Sequence, residues 1–334
     1  MLIDTTLDKS NYLGVFTAFP EQFTKTLELI GDKKVEGKFE NVIICGMGGS
    51  AMPYDLLAAY LSYKHIDLNL YVSRTYSLPK EASEKSLIII SSYSGNTEES
   101  LSCMDEAEAK KYTIVGFSRG GQIEERCEAK GYPYVKYPEE PAEFQPRAAI
   151  GYSFSSMLYF LMNSGLIPDN KAEIRELADF LSGFDLQSRA EEMAAEIGDL
   201  IPVIYTTDEY QNTVARIVKI KFNENAKYPA FFNSFPELNH NEMVGYTQKA
   251  EQFYFIFFKD STSHPRILKR MEITKDLLEE KGAQVVEVEM QGATFLQKMF
   301  HTLLFGDYLT TYKALANDID PTPVKMVEDF KKML

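Results

Sequence analysis

Long apolar runs are missing from this sequence. Its hydrophobic stretches are only a few residues long, far short of the ~20 that a membrane-spanning helix needs, so no membrane segment is expected. The opening MLIDTTLDKSNYLG has an early acid and no basic stretch ahead of an apolar one, so no signal peptide is expected. Histidine is scarce, with four in the chain, and His65, His264 and His301 show no zinc-like spacing; they read as structural or surface residues, and no metal or cofactor is expected. The three cysteines, Cys45, Cys103 and Cys127, leave one unpaired in any scheme. They read as reduced structural thiols of a cytoplasmic protein. Basic residues are also short, 35 against 49 acids, for a net charge of −14. That argues against non-specific nucleic-acid binding, which needs a basic face. An anionic small substrate is still allowed, but local donors must hold it against the overall field.

What is present is an ordinary globular balance: 45% hydrophobic and 25% charged over 334 residues, a length that suggests two domains. Short apolar runs alternate with amphipathic stretches, which implies α/β units, each a doubly wound parallel sheet flanked by helices. In the first unit strands are expected near 41–46, 69–73, 86–92, 113–117 and 132–137, with helices such as 51–63 and 97–111. In the second, strands are expected near 201–206, 229–233, 253–258 and 284–289, with helices near 209–222, 264–281 and 294–315. Helical segments at 153–164 and 171–196 would join the two, giving domains at 1–152 and 197–334 with a helical connection over 153–196. A last short helix should open after Asp320-Pro321-Thr322-Pro323, where proline suits a first turn.

The stretch NVIICGMGGSAMPYDLLAAYL reads as strand, glycine loop and helix. Gly46, Gly48 and Ala51 match a dinucleotide fingerprint, which also needs an acid at the end of the second strand. Asp67 has the spacing but precedes its strand, and the strand's far end is Ser73-Arg74. An oxidoreductase is therefore demoted. A second stretch, SLIIISSYSGNTEES, is an apolar strand ending in hydroxyls. In a parallel sheet both loops reach one edge, and each precedes a helix whose N-terminal N–H groups suit a phosphate. Gly49, Ser50, Ser92, Ser94 and Thr97 would form the cradle, with neutral donors in place of a lysine. The plainer alternative is N-capping by Ser94 or Thr97, with Glu98 and Glu99 favouring the first turn. One cap explains one hydroxyl, not four and a second glycine-serine loop.

These loops resemble the sugar isomerase (SIS) domain. SYSGNTEE, PRAAIGYS (146–153), KFNENAKYP (221–229), ELNHNE (237–242) and DPTPV (320–324) together resemble the bifunctional phosphoglucose/phosphomannose isomerases, in family order and across nearly the whole chain. The resemblance implies two SIS domains, a homodimer, and interconversion of fructose 6-phosphate with glucose 6-phosphate and often mannose 6-phosphate. It implies that Ser50, Ser92, Ser94 and Thr97 bind phosphate and that Glu224 is the catalytic base. It further implies that Arg147 lies beside the developing negative charge and that His240 opens the sugar ring in the neighbouring subunit's site. A C-terminal lysine is expected to assist ring opening. Lys331 or Lys332 could serve, and helix register selects Lys331. Thr322 is the candidate for handling both epimers.

The chemistry suits these residue types. Ring opening moves protons near neutral pH, where a histidine titrates. Moving a proton between C1 and C2 needs a carboxylate base. A fixed cation stabilises the enediolate as its charge develops. Each residue also has a plainer reading: His240 as a solvated loop histidine, Glu224 as a solvated carboxylate at a helix C-terminus, Arg147 as a surface ion pair. A non-catalytic SIS regulator that only binds a sugar phosphate is the alternative function. It would have no need of the base in NENAK or the histidine in LNHNE.

Overall fold

The computed structural model describes residues 3–138, 140 and 144–334. The chain forms two compact units, one of Ala18–Ser182 and one of Gly183–Leu334 together with the chain up to Thr17.

The second unit begins with α1 (Tyr12–Thr17), which packs on a later helix of that unit. The first unit then opens with α2 (Glu21–Ile30) and β1 (Asn41–Cys45), followed by α3 (Met52–Tyr63), β2 (Leu70–Ser73) and β3 (Ser86–Ser91). It continues through α4 (Glu98–Ala109), β4 (Thr113–Ser118), α5 (Gly121–Lys130) and β5 (Tyr134–Lys136) to α6 (Ile150–Asn163) and α7 (Lys171–Leu181). The five strands are all parallel, in the order β2-β1-β3-β4-β5. Every residue of β1 and β3 is buried. Helices on both faces make these two central strands apolar runs rather than alternating ones.

In the second unit, α8 (Gln187–Ile197) leads to β6 (Ile201–Thr207), a 3-10 turn and one π-helical turn (Gln211–Ala215), then α9 (Arg216–Glu224). β7 (Phe231–Phe235), β8 (Phe253–Lys259), α10 (Pro265–Glu279), β9 (Gln284–Glu289), α11 (Phe295–Ala316) and α12 (Lys325–Lys331) complete it. Its four strands are also parallel, in the order β7-β6-β8-β9. α11 is started by a reciprocal cap: Gln297 N–H donates to Thr294 Oγ1 at 3.2 Å, and Thr294 N–H donates to Gln297 Oε1 at 3.3 Å. Among the described residues no helix is long and apolar enough to cross a membrane.

All nine expected strands form, and both sheets are parallel with flanking helices, as expected. The boundaries between units differ from the sequence reading. The expected connection over 153–196 is not a separate segment: α6 and α7 pack on α2 in the first unit, and α8 packs on α11 in the second. The single helix expected at 171–196 is broken at 182–186. There Gly183 interrupts it, and Asp185 Oδ1 accepts the Gln187 N–H at 3.0 Å to start a new helix. The expected helix at 209–222 is a 3-10 turn and a π turn before α9 begins, and α9 runs on through Glu224.

Candidate active site

In the first sheet the strand order reverses between β1 and β3, so a crevice opens at their C-terminal ends. Both expected phosphate loops lie there. Ser50 Oγ accepts the Tyr93 N–H at 2.9 Å, and Ser91 Oγ donates to the Ser50 carbonyl at 3.2 Å. Ser92, fully buried, is the hub of the second loop. Its Oγ accepts the Gly95 N–H at 3.1 Å and shares hydrogen bonds with Thr97 Oγ1 at 2.7 Å and Ser94 Oγ at 3.3 Å. The hydroxyls of Ser92, Ser94 and Thr97 thus form one linked set, and Ser50 is tied to the same loop through the Tyr93 N–H. Thr97 stands at the N-cap of α4, yet its side chain makes no capping bond. Its hydroxyl turns to Ser92 instead, and Ser94 accepts the Asn96 N–H at 3.3 Å. The capping explanation for these hydroxyls therefore fails, and the first-turn N–H groups of α4 face the crevice end of the sheet without a side-chain cap.

Gly95 makes this geometry possible. It has φ +75°, and a Cβ there would lie 1.7 Å from the Gly120 carbonyl oxygen. Gly49 has a different constraint: a Cβ there would lie 3.2 Å from the Pro146 and Arg147 backbone. The turn Pro146–Ala148 is thereby brought against the first loop. Gln22 of α2 fixes that turn from behind, donating Nε2 to the Ala148 carbonyl at 2.8 Å and accepting the Tyr152 N–H at 3.1 Å. Arg147 is 2% exposed and donates Nη1 to Gln145 Oε1 at 3.2 Å. The surface-ion-pair reading of Arg147 is thus excluded. Ser50, Ser92, Ser94, Thr97 and the Arg147 turn are all brought together in one unit.

Sequence reasoning passed over the floor of this site. Tyr93 stacks on Tyr137 and Phe144, with centroids 6.0 and 5.9 Å apart, and the Arg119 guanidinium sits 5.6 Å from its ring. Burial pushes the Tyr93 hydroxyl up to about 12, so it stays neutral. Arg119 also donates its N–H to the Tyr93 carbonyl at 2.9 Å, which ties β4 to the hydroxyl loop. An aromatic in a serine-rich loop was the one available signal.

In the second unit Glu224 closes α9 and is half-buried. The next residue, Asn225, is fully buried and donates Nδ2 to Thr310 Oγ1 of α11 at 3.0 Å. One turn earlier Lys221 forms a buried ion pair with Asp307 of α11. α9 is therefore pinned to α11 on both sides of the carboxylate. Lys227 extends the arrangement: its Nζ donates to the carbonyls of Asn225 at 3.0 Å, Asp320 at 3.0 Å and Pro321 at 2.7 Å. This one ammonium joins the NENAK loop to the DPTP turn and so brings Thr322, 4% exposed, into the same cluster as Glu224.

His240 ends a 3-10 turn (Glu237–His240) and is exposed; its ring makes no hydrogen bond or ion pair among the described residues. The loop behind it is anchored by Glu242, which accepts from Tyr205 at 2.6 Å, Tyr246 at 3.2 Å and Asn233. Burial raises the Tyr205 hydroxyl well above its ordinary value and pushes Tyr246 up to about 12, so both remain donors. Lys331 and Lys332 are both exposed on and just beyond α12. Lys331 makes no ion pair among the described residues, and Lys332 approaches Asp329 at 3.7 Å. Neither is tied to the Glu224 cluster.

The matching crest of the second sheet, between β6 and β8, is filled by the protein itself. Asp260 accepts from Lys298 at 2.6 Å, from Tyr210 at 3.0 Å and from the Thr262 N–H at 2.8 Å, and both charged residues are buried. Burial alone would raise the Asp260 carboxyl, but these donors outweigh it and hold the group below its ordinary range. The loop after β8 also carries hydroxyls, but the protein uses them itself: Thr262 Oγ1 donates to Asp260 at 2.6 Å and accepts from Lys298 at 2.7 Å, and Ser261 Oγ donates to Glu289 at 2.7 Å.

Comparison with known proteins agrees with this architecture. Residues 186–334 match the model of the bacterial phospho-glucose isomerase C-terminal SIS domain. The chain is 36% identical over 333 residues to a bifunctional phosphoglucose/phosphomannose isomerase of Caldicellulosiruptor bescii, covering 94% of this chain and 96% of that one. It is 35% identical over 303 residues to the enzyme of that name from Thermoplasma acidophilum, covering 89% and 91%. The fold is similar to the crystal structure of a glucosamine-6-phosphate deaminase from Thermotoga maritima, with a TM-score of 0.71 at 17% identity over 93% and 96% of the two chains. At these identities, sustained over nearly its full length, the chain belongs to the bifunctional phosphoglucose/phosphomannose isomerase family.

Proposed function

We propose that this protein interconverts glucose 6-phosphate and mannose 6-phosphate with fructose 6-phosphate through a cis-enediolate, and that it acts in the cytoplasm as a homodimer. The observation that carries the reading is the linked hydroxyl set at the β1/β3 crest, with the uncapped N-terminus of α4 beside it. Such a site holds a dianionic phosphate through neutral donors and helix-end N–H groups. Binding energy from the phosphate then positions the distant carbons.

Ser50, Ser92, Ser94, Thr97 and the backbone around Gly49 hold the phosphate. His240, supplied by the neighbouring subunit, opens the ring: it takes the anomeric hydroxyl proton and returns one to the ring oxygen. Lys331 assists that step. Glu224 removes the proton from C2 of the aldose. As the C2–H electron pair forms the C1=C2 bond, the C1 carbonyl becomes the oxyanion. Arg147 stabilises that enediolate while the C2 hydroxyl proton passes to the O1 oxyanion, so that O1 ends as a hydroxyl and O2 as the ketone. Glu224 then delivers its proton to C1. Thr322 acts where the two epimers differ. The anchoring of Glu224 by Asn225, Lys221 and Lys227 supports its part, because a base must be held still to reach both carbons.

The test is a coupled assay of purified protein with fructose 6-phosphate, read as glucose 6-phosphate and mannose 6-phosphate formed. Glu224→Gln should lower kcat by about 10²–10⁴-fold while sugar-phosphate binding persists. Binding without turnover in the unaltered protein would instead mark a sugar-phosphate-binding regulator.

A further inference from the structure

α10 carries a cation cluster that the reaction leaves unused. Arg266, Lys269 and Arg270 stand at spacings of three and four, on one helical face. They line a cavity of about 340 Å³. Asn239 and Thr274 add polar groups to its wall, and Met243 and Ile273 add an apolar side. No carboxylate lines it. In a chain with 49 acids and 35 bases this is a marked local exception.

Little holds these cations. The Arg266 guanidinium has no ion pair or hydrogen bond among the described residues. Lys269 pairs with Glu272 at 2.9 Å, but both partners are more than half exposed, where such a pair contributes little. Arg270 has only a long contact with a neutral acceptor, Asn239 Oδ1 at 3.4 Å. Three positive charges converging on a concave, partly apolar space are the arrangement a small anion with a carbon body requires. The volume lies at the small end of ligand pockets, which run to ~300–1,000 Å³. Two guanidinium forks match phosphate oxygens better than they match water. The strongly acidic chain and the small number of cations disfavour a nucleic-acid backbone.

We propose that this groove is a second anion site, separate from the hydroxyl cradle, that binds a small phosphate monoester. Its occupant competes with Asn239 for Arg270. Asn239 also donates to Thr274 at 2.8 Å and immediately precedes His240. Drawing Arg270 away therefore loosens the turn Glu237–His240, and occupancy changes turnover. This second half rests on the role proposed for His240.

Calorimetric titration with inorganic phosphate and, separately, with glucose 6-phosphate tests the site in four full-length chains: unaltered, Ser92→Ala/Thr97→Ala, Arg266→Ala/Lys269→Ala, and the two pairs combined. The hydroxyl variant should keep one binding site for both ligands. Adding Arg266→Ala/Lys269→Ala to it should weaken that remaining site about tenfold or more, the scale of losing charge-assisted hydrogen bonds. Tighter binding of the ester than of phosphate alone supports the monoester, and equal binding overturns that choice. A hydroxyl variant that binds neither ligand, or binding indifferent to the Arg266/Lys269 change, overturns the site. If that change leaves binding intact but lowers the mass seen in sedimentation, the cations serve contact between copies and the proposal falls. Over a wide range of sugar substrate, the rate of the unaltered chain should depart from a single hyperbola as the second site fills, and that of Arg266→Ala/Lys269→Ala should follow one; identical curves overturn the link to His240. Failure of the isomerase reading shows separately, as undiminished turnover in Glu224→Gln.

Discussion

Ser92 illustrates how much one buried hydroxyl can organise. A hydroxyl has one proton and two lone pairs, and the Gly95 N–H, Thr97 and Ser94 already use them. These bonds shape the loop, and one hydroxyl partner gives way when phosphate binds; Ser92→Ala should therefore weaken phosphate binding, raising KM for all three hexose phosphates together while kcat changes less. A kinetic series on the three substrates checks this. Gly95→Ala should be harsher. The added methyl meets rigid backbone at 1.7 Å and forces an L-residue to φ +75°, a conformation that costs ~1–2 kcal/mol before any clash. The expected outcome is loss of phosphate affinity with the far-UV spectrum retained, since the strands beneath are independent of the loop. At this scale the sequence disclosed which side chains gather and not what each does. The hydroxyls of Ser94 and Thr97 read as a cradle with capping as the plainer alternative, and the structure turns them toward Ser92. Arg147 read equally well as a surface residue, because nothing local reports that its turn is covered.

Among the elements, α9 depends most on groups outside its own sequence. Its buried Lys221–Asp307 pair makes a sharp prediction. Lys221→Met alone leaves a buried carboxylate and should cost about 3–5 kcal/mol, whereas Lys221→Met/Asp307→Leu should recover most of that loss. Urea denaturation of the two variants measures it. Lys227 gives a different signature, since it joins two loops rather than filling a core. Lys227→Met should lower kcat by roughly tenfold to a hundredfold, the scale of a small misplacement of a reacting group, with a smaller change in KM. Single-turnover kinetics with fructose 6-phosphate separate the two. The central strands were the most legible, because helices cover both faces of each sheet there and leave apolar runs, whereas β7, which carries Asn233 and Ser234, lies two residues beyond its expected place. α2 was not legible: two of its core-facing positions are Gln22 and Thr26, buried but polar, so its apolar stripe is broken. Gln22 is there for the Arg147 turn rather than for the helix.

At the scale of the molecule, local periodicity could not assign α1 to a unit. Phe16 of α1 meets Tyr308 of α11 at 5.8 Å, and the Ile3 N–H reaches Glu191 of α8 at 2.8 Å. The chain's beginning thus belongs with its end, a long-range fact that no window of sequence contains. The same unit predicts a pH dependence of stability. Burial lowers the His301 pKa from 6.5 to about 4, and Phe184 packs edge-on at 4.7 Å. Above pH 6.5 the imidazole is neutral in both folded and unfolded chains. Between pH 6.5 and about 4 the unfolded chain takes a proton that the folded chain refuses, so stability falls as pH falls through that window. The urea midpoint should decline there, and His301→Gln should flatten the decline; identical slopes in the two proteins would refute the assignment.

The crest of the second sheet carries its own consequence. Lys298 and Asp260 neutralise each other where the sister sheet keeps its hydroxyls. Either one lost alone strands a charge in the interior, so these two positions are bound to drift as a couple. Across descendants of this chain they should be retained jointly or replaced jointly by apolar residues, and a lineage carrying only one of them should prove hard to express.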